Sequence, residues 1–315
     1  MLKRKAVVVV GPTASGKTAL GVHIAKKFNG EVISADSMQI YKGMDIATAK
    51  PTKEETDGIK HHLIDFIDVS ETYSVSAFCE DAGKAFDEIY NSGKLPVIVG
   101  GTGLYVDSFL SNTSFLNSAC SDEVRVQLKN ELDKYGIDYM YSQLKSVDPD
   151  AALKIHPNNT VRVLRALEVY KTTGKTITQQ VAMSHQIDSD IEPLFIGITY
   201  NDREKLYERI NKRVDIMLGN GLLDEAKTFF ESSPSKTAFN AIGCKELKPY
   251  FDGDKNLEEC VEDLKRSTRR YAKRQLTWFK RNNKINWIYP DAVEYADILD
   301  TVDDLINNFL EGEAN

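Results

Sequence analysis

The eight residues Gly11-Pro12-Thr13-Ala14-Ser15-Gly16-Lys17-Thr18 constrain this chain more than any other stretch. They fit G-x-x-x-x-G-K-[ST], a loop whose backbone N–H groups wrap around phosphate oxygens. The flanks agree with that reading. Residues 6–10 form a short, β-branched, apolar run, as a strand buried on both faces requires. Residues 19–28 read as a helix. The N-terminus of such a helix adds partial positive charge to the loop amides. Lys17 supplies a point charge, and the Thr18 hydroxyl is the candidate ligand for Mg²⁺. The loop specifies a phosphate-rich ligand and no reaction. A nucleoside triphosphate satisfies it, and so does any Mg²⁺-bound diphosphate.

Further strands follow the same pattern. Residues 31–35 end at Asp36, and residues 95–99 end at Gly100-Gly101-Thr102-Gly103. Two more apolar runs occupy 194–199 and 285–289. Ser74 can cap a helix bearing Val75, Phe78, Ala82, Ala85, Phe86 and Ile89, stopped by Gly93. Buried strands alternating with helices predict an α/β fold: a P-loop NTPase-like parallel sheet core flanked by helices. Ligands of such sheets bind at the carboxyl ends of the strands, where Asp36 and Thr102 fall. The middle of the chain reads as helix only. Ser121 begins one helix with Val124, Leu128 and Leu132 on a face, and residues 159–173 form another, ended by Gly174. The expectation is a core of residues 1–112 plus 194–315, with an inserted all-helical domain over 113–193.

Composition excludes several classes. With 42% hydrophobic and 28% charged residues among 315, wholesale disorder is excluded. The net charge of -7 excludes a surface that is basic all over. Charge is nevertheless unevenly distributed. Residues 265–284 hold nine basic and no acidic side chains, whereas residues 285–315 hold eight acidic and no basic ones. Without those eight acids the chain changes from -7 to +1. The acidic tail is therefore expected on a face away from any nucleic acid. The four cysteines include no C-x-x-C pair, so reduced thiols and a cytoplasmic location are expected. The five histidines show no zinc-site spacing. Lys3-Arg4-Lys5 opens like a signal peptide, but its apolar run is too short and leads directly into the phosphate loop. No stretch reaches transmembrane length.

Four further segments narrow the reading. They are Asp36-Ser37-Met38-Gln39-Ile40-Tyr41-Lys42-Gly43, Gly100-Gly101-Thr102-Gly103-Leu104-Tyr105, Arg162-Val163-Leu164-Arg165-Ala166-Leu167-Glu168 and Lys273-Arg274-Gln275-Leu276-Thr277-Trp278-Phe279-Lys280. Together with the loop, in this order, they resemble the tRNA dimethylallyltransferase (tRNA isopentenyltransferase) family over residues 7–287. The expected type is bacterial, since no zinc-finger-like Cys/His extension follows the core. The resemblance implies transfer of a dimethylallyl group from dimethylallyl diphosphate to the exocyclic amine of adenosine 37, just 3′ of the tRNA anticodon. It implies Mg²⁺ as cofactor and the tRNA anticodon stem-loop as partner. A monomer with no membrane attachment is expected. Other readings of the loop are a small-molecule kinase, an adenosine-phosphate isopentenyltransferase and a non-enzymatic RNA-binding ATPase. The first gives the basic segment and the arginine-bearing insertion no evident task, the second needs neither the 273–280 segment nor a large insertion, and in the third Asp36 would hold Mg²⁺ rather than accept a proton.

The resemblance also assigns roles. An adenine amine is a poor nucleophile, so a carboxylate that accepts its proton helps. Asp36 matches that general-base position; on residues alone, an Asp there could equally cap a turn or hold Mg²⁺ through water. Gly11, Pro12, Thr13, Ala14, Ser15, Gly16, Lys17 and Thr18 match the diphosphate site. Lys17, Thr102 and Arg213 would stabilise charge on the leaving diphosphate. Arg209, four residues before Arg213 on one helical face, is the weaker candidate. Implied tRNA contacts are Asp36, Ser37, Met38, Gln39, Thr102, Arg125, Arg162, Arg165, Asn240, Gly243, Lys245, Lys273, Arg274, Gln275, Trp278 and Lys280, with Gln39 reading the base edge. Leu276 and Phe279 should pack inward. Many relatives have Gly-Tyr-Arg where this chain has Gly243-Cys244-Lys245, which suggests a lost stacking surface and a lost guanidinium fork.

Overall fold

The computed structural model describes residues 3–111, 122–184 and 189–312. Contacts divide the chain into two compact units: Met1–Phe109 with Asp190–Asn315, and Leu110–Ser189. The first unit is built on one sheet of six strands. These are β1 (Arg4–Val10), β2 (Gly30–Ser34), β3 (His61–His62), β4 (Leu95–Gly100), β5 (Ile191–Ile198) and β6 (Asn286–Ile288). They lie in the order β3-β2-β4-β1-β5-β6, and every pairing is parallel. The central strand β1 is fully buried from Ala6 to Val10, as its unbroken valine run requires. On one face of the sheet, Val7, Val9, Val97 and Ile196 pack with Leu20 and Ile24 of the helix Lys17–Lys27.

Two elements differ from the sequence reading. Strand β5 begins at Ile191, three residues before the expected start, because Arg4 already pairs with Ile191 and its N–H bonds to Asp190 O at 2.7 Å. Strand β3 was not foreseen at all. Two residues carry no alternation to read, yet His61 and His62 pair with Val32 and Ile33. His62 is then held by Glu31, 2.7 Å away, and the same carboxylate takes Lys94 at 2.6 Å. The histidine pair is thus part of the sheet edge. Among the described residues no group of three potential metal ligands occurs, and no helix is long and apolar enough to cross a membrane.

The second unit is helical throughout its described residues. Helices Asp122–Val147, Pro149–Lys154, Thr160–Thr173 and Ile177–Ser184 enclose Leu128, Met140, Leu144, Val163, Ala166 and Leu167. Asn159 caps the third of these by accepting from the Arg162 N–H, and Gly174 ends it in the left-handed region at φ 70°. Ser121, expected to start the first helix, lies outside the described residues, as do Cys120 and His185.

The acidic tail packs as an amphipathic helix, Tyr295–Glu311. Ile298, Val302 and Ile306 join the cluster of Leu20 and Ile24. Asp303 points inward with them and is only 4% exposed. It is matched by Lys27 Nζ at 2.6 Å and His23 Nε2 at 3.0 Å. Part of the negative charge is therefore used inside the fold. Asp297, Asp300 and Asp304 remain on the solvent side.

Candidate active site

A cavity of about 260 Å³ opens at the carboxyl ends of β1, β2 and β4. It is lined by Thr13, Ala14, Lys17 and Thr18 of the loop after β1, and by Asp36, Ser37, Met38 and Gln39 after β2. Gly100 comes from the end of β4, and Arg213 from the helix Arg203–Gly219. Asn240, Gly243 and Lys245 form another part of the wall. Tyr271, Arg274 and Gln275 come from the helix Leu257–Phe279, called the basic helix below. Six separate stretches of sequence thus meet in one place.

The carboxylate is oriented by its own turn. Asp36 Oδ1 accepts from the Met38 N–H at 2.9 Å. The turn is tied to the glycine-rich segment by Thr102, whose Oγ1 accepts from the Ser37 N–H at 3.1 Å and lies 3.3 Å from Ser37 Oγ. The Thr102 N–H donates in turn to Ala35 O at 3.2 Å. Tyr271 adds a phenol beside Thr102, Gln275 and Asp36. Burial, with the negative charge of Asp36 nearby, keeps that phenol protonated well above its ordinary range. The sequence position of Tyr271, between Arg270 and Lys273, gives no hint that it faces inward.

The cations sit on the other side of the carboxylate. Lys17 Nζ donates to Pro12 O at 2.6 Å. Burial lowers its pKa to about 7, with Asp36 opposing the shift and Arg213 adding to it. The Arg213 guanidinium is also lowered by burial, against the pull of Asp36 and Glu55. Two like charges and one carboxylate thus share a poorly solvated site, which an anionic ligand would relieve. Arg209 does not join them. Its Nε donates to Ala14 O at 3.0 Å, and its guanidinium lies 5.4 Å from the Tyr200 ring. The i, i+4 pair is therefore split, with Arg213 in the cavity and Arg209 bracing the loop. Thr18 and Asp36 bring a hydroxyl and a carboxylate to the same cavity. These oxygen donors fit Mg²⁺, which commonly takes one or two protein oxygens and completes its shell with phosphate and water.

The glycines of the turn after β4 reflect close approach. A Cβ on Gly101 would stand 2.1 Å from Gln275 Nε2, and one on Gly103 would stand 2.2 Å from the Trp278 ring. Only glycine lets the basic helix pack this near the turn. Trp278 is further fixed by Nε1–H donating to Asp107 at 2.8 Å and by Arg281 over its ring at 4.1 Å. Phe279 is buried and Leu276 half-buried, as expected of an inward face. Arg266, Arg270, Lys273, Arg274 and Lys280 are exposed. Of these, Arg266 forms an ion pair with Asp263.

Three of the expected site positions have side chains engaged within the fold. Gln39 was expected to read a base edge, but its amide is engaged in the fold. Its Oε1 accepts from Ser34 Oγ at 3.1 Å, and its Nε2 donates to Thr48 O at 3.3 Å and Ala49 O at 3.1 Å. Gln275 was expected to touch RNA, yet it is 4% exposed and both ends of its amide bond to backbone. Cys244 was read as a lost stacking surface. It is fully buried, among Leu222, Ala226 and Leu247, so position 244 belongs to the core. Its thiol is pushed up to about 12 by burial.

The remaining candidates are distributed as follows. Lys245 is exposed at the cavity, 3.7 Å from Glu246. The exposed Asn240 donates to Lys236 O at 2.8 Å. In the helical unit, Arg125 and Arg165 both reach the buried Glu168, each at 3.0 Å, while Arg162 is exposed on the same helix as Arg165. One contributor was missed entirely. Glu225 accepts from the N–H groups of Asp45, Ile46 and Ala47 at 2.8, 2.8 and 2.7 Å, and so holds the loop that carries Ala47, Thr48 and Ala49 into the cavity wall. A lone helical glutamate gives no sequence signal of such a role.

Residues 39–282 match the family described as IPP transferase. The tRNA dimethylallyltransferase of Acetivibrio thermocellus is 51% identical over 295 residues, which cover 91% of this chain and 92% of that protein. That of Bacillus subtilis is 46% identical over 286 residues, 90% of each. Among solved structures, the full-length tRNA isopentenylpyrophosphate transferase of Bacillus halodurans superposes with a TM-score of 0.75 at 43% identity, covering 99% of this chain and 98% of that one. A eukaryotic dimethylallyltransferase acting on tRNA superposes with a TM-score of 0.84 at 32% identity, covering 98% of this chain and 80% of that one. The sheet order, the phosphate loop and the near-complete match lead to one assignment: this chain belongs to the IPP transferase family.

Proposed function

We propose that this protein transfers the dimethylallyl group of dimethylallyl diphosphate to the exocyclic amine of adenosine 37 in tRNA. The observation that carries this reading is the joint occupation of one cavity by a turn-held carboxylate, a phosphate loop and two partly desolvated cations. A kinase needs the loop and the cations. The exposed cationic face beside the same cavity suits a polyanionic acceptor instead.

The chemistry follows from the residues. The amine nitrogen forms a bond to the allylic carbon as that carbon's bond to the diphosphate oxygen breaks. Asp36 accepts the proton that the amine loses. The electron pair of the broken bond leaves on the diphosphate, whose growing charge is met by Lys17, Arg213 and the amides of the loop. Thr102 holds the Asp36 turn and offers a hydroxyl on the same side. Thr18 would hold Mg²⁺, which would supply additional positive charge to the diphosphate. The adenine must leave the anticodon stack to reach Asp36. Arg270, Lys273, Arg274 and Lys280 grip the RNA backbone. Lys245 extends this grip from the cavity wall, and Arg162 of the helical unit is a further candidate RNA contact. A monomer acting in the cytoplasm suffices, because every group named is on one chain.

The test offers labelled dimethylallyl diphosphate and Mg²⁺ to the purified protein with unmodified tRNA, with free adenosine monophosphate, or with ATP and no RNA. Label should pass to tRNA and not to the free nucleotide. ATP turnover without label transfer would overturn the proposal.

A further inference from the structure

Gln275 lies on the basic helix but faces away from Arg270 and Lys273. It is 4% exposed. Its Oε1 accepts from the Thr13 N–H at 2.8 Å, and its Nε2 donates to Gly101 O at 3.0 Å. One uncharged amide therefore joins the phosphate loop after β1 to the Thr102 turn after β4. Both partners are backbone atoms at the strand ends, so the bond pattern fixes main-chain position and not a side-chain rotamer. The absence of a Cβ at Gly101, with only 2.1 Å available to Nε2, is what admits the amide.

The loop has few other fixed points on this side. Pro12 has no N–H to donate, and its carbonyl is taken by Lys17 and by Ser15 Oγ. Arg209 holds the loop at Ala14 O from the neighbouring helix. Among the described residues, the Thr13 N–H is held by the Gln275 side chain, one residue from Ala14.

We infer that Gln275 is a positioning residue for the diphosphate: it sets the phosphate loop against the Thr102 turn, and it does so from the helix whose opposite face carries Arg270 and Lys273. The inference rests on the prenyl-transfer reading above. It separates two roles along one helix. Residues 270, 273 and 274 govern RNA affinity, whereas residue 275 governs the diphosphate half-site.

The test uses the full chain and measures two affinities for each variant. Mg²⁺-pyrophosphate is titrated calorimetrically without RNA, and unmodified tRNA is titrated over a range of salt. Gln275→Leu should weaken pyrophosphate about tenfold, equivalent to about 1.4 kcal/mol. Its tRNA affinity and salt slope should stay as in the parent. Gly101→Ala disturbs the same link from the other end and should reproduce this pattern, so the test survives if one variant fails to fold. The double variant should lose no more than the larger single loss, because the two changes break one connection. Loss of tRNA affinity with normal pyrophosphate binding would overturn the inference and return Gln275 to the RNA contacts. Additive losses in the double variant would overturn it too. A parent protein that binds no pyrophosphate would instead defeat the prenyl-transfer reading itself.

Discussion

Lys17 gives a sharp test of how the site binds its anion. In the free protein, burial brings its pKa to about 7, so about nine-tenths of the side chain is neutral at pH 8. A bound diphosphate favours the ammonium, whose pKa then rises. Binding at pH 8 should therefore take up about 0.9 proton at this group, and at pH 6 only about 0.1. Above pH 7 the affinity should fall, approaching about tenfold per pH unit. Calorimetric titration of Mg²⁺-pyrophosphate in buffers of different ionisation enthalpy reads the proton number directly. Pyrophosphate also exchanges protons with solvent, so the informative quantity is the difference between the parent and Lys17→Met. Equal proton numbers for the two at pH 8 would refute the reasoning. The stability of the ligand-free protein carries the same signature. A lysine depressed in the native state binds fewer protons there than when unfolded. Its contribution to stability should therefore rise with pH from about 7 to its ordinary 10.5, and this rise should be missing from Lys17→Met.

Two further outcomes follow from the site. Asp36→Asn keeps the shape of the turn but removes the proton acceptor, so single-turnover transfer should fall by about 10²–10⁴ with tRNA affinity held within about twofold; lost tRNA binding with normal chemistry would contradict the base assignment. Replacing Arg270, Lys273 and Arg274 together with Ala should reduce the slope of log affinity against log salt by about two to three, at about 0.7–0.9 per lost phosphate contact; an unchanged slope would leave the basic face merely solvated.

The sheet was legible because burial on both faces leaves a chemical trace. Residues 6–10 and 95–99 could not be exposed anywhere, and the turns that followed them ended in phosphate-loop and glycine-rich chemistry. Strand β3 left no such trace, being only two residues long. Within the site, sequence identified which segments converge but not which way individual side chains turn. Gln39, Gln275 and Cys244 all sit in segments that meet at the cavity. Gln275 spends both ends of its amide on backbone partners remote in sequence, Gln39 spends its own on Ser34 Oγ and on the carbonyls of Thr48 and Ala49, and Cys244 fills the core. Backbone partners carry no residue identity, so nothing in a single sequence marks them. Arg209 and Arg213 illustrate the same limit: spacing put both on one face, but only the position of Ala14 O decides that one braces the loop.

The acidic tail also acquires a specific meaning. Its apolar stripe packs with the helix that follows the phosphate loop, and Asp303 is satisfied inside that contact. The basic helix contributes Cys260 and Leu264 to a separate cluster with Leu222 and Phe229. The opposed charges thus belong to different packing environments, and the net charge of the chain does not describe the surface offered to RNA.

The most direct measurement maps the product. Unmodified tRNA incubated with the protein, Mg²⁺ and dimethylallyl diphosphate should be digested to nucleosides and to anticodon-loop fragments and analysed by mass spectrometry. The dimethylallyl group should appear on the exocyclic amine of adenosine 37 and nowhere else in the tRNA, and Asp36→Asn should nearly abolish it. A prenyl group elsewhere, or unmodified tRNA alongside an active phosphate-transfer reaction, would contradict the proposed function.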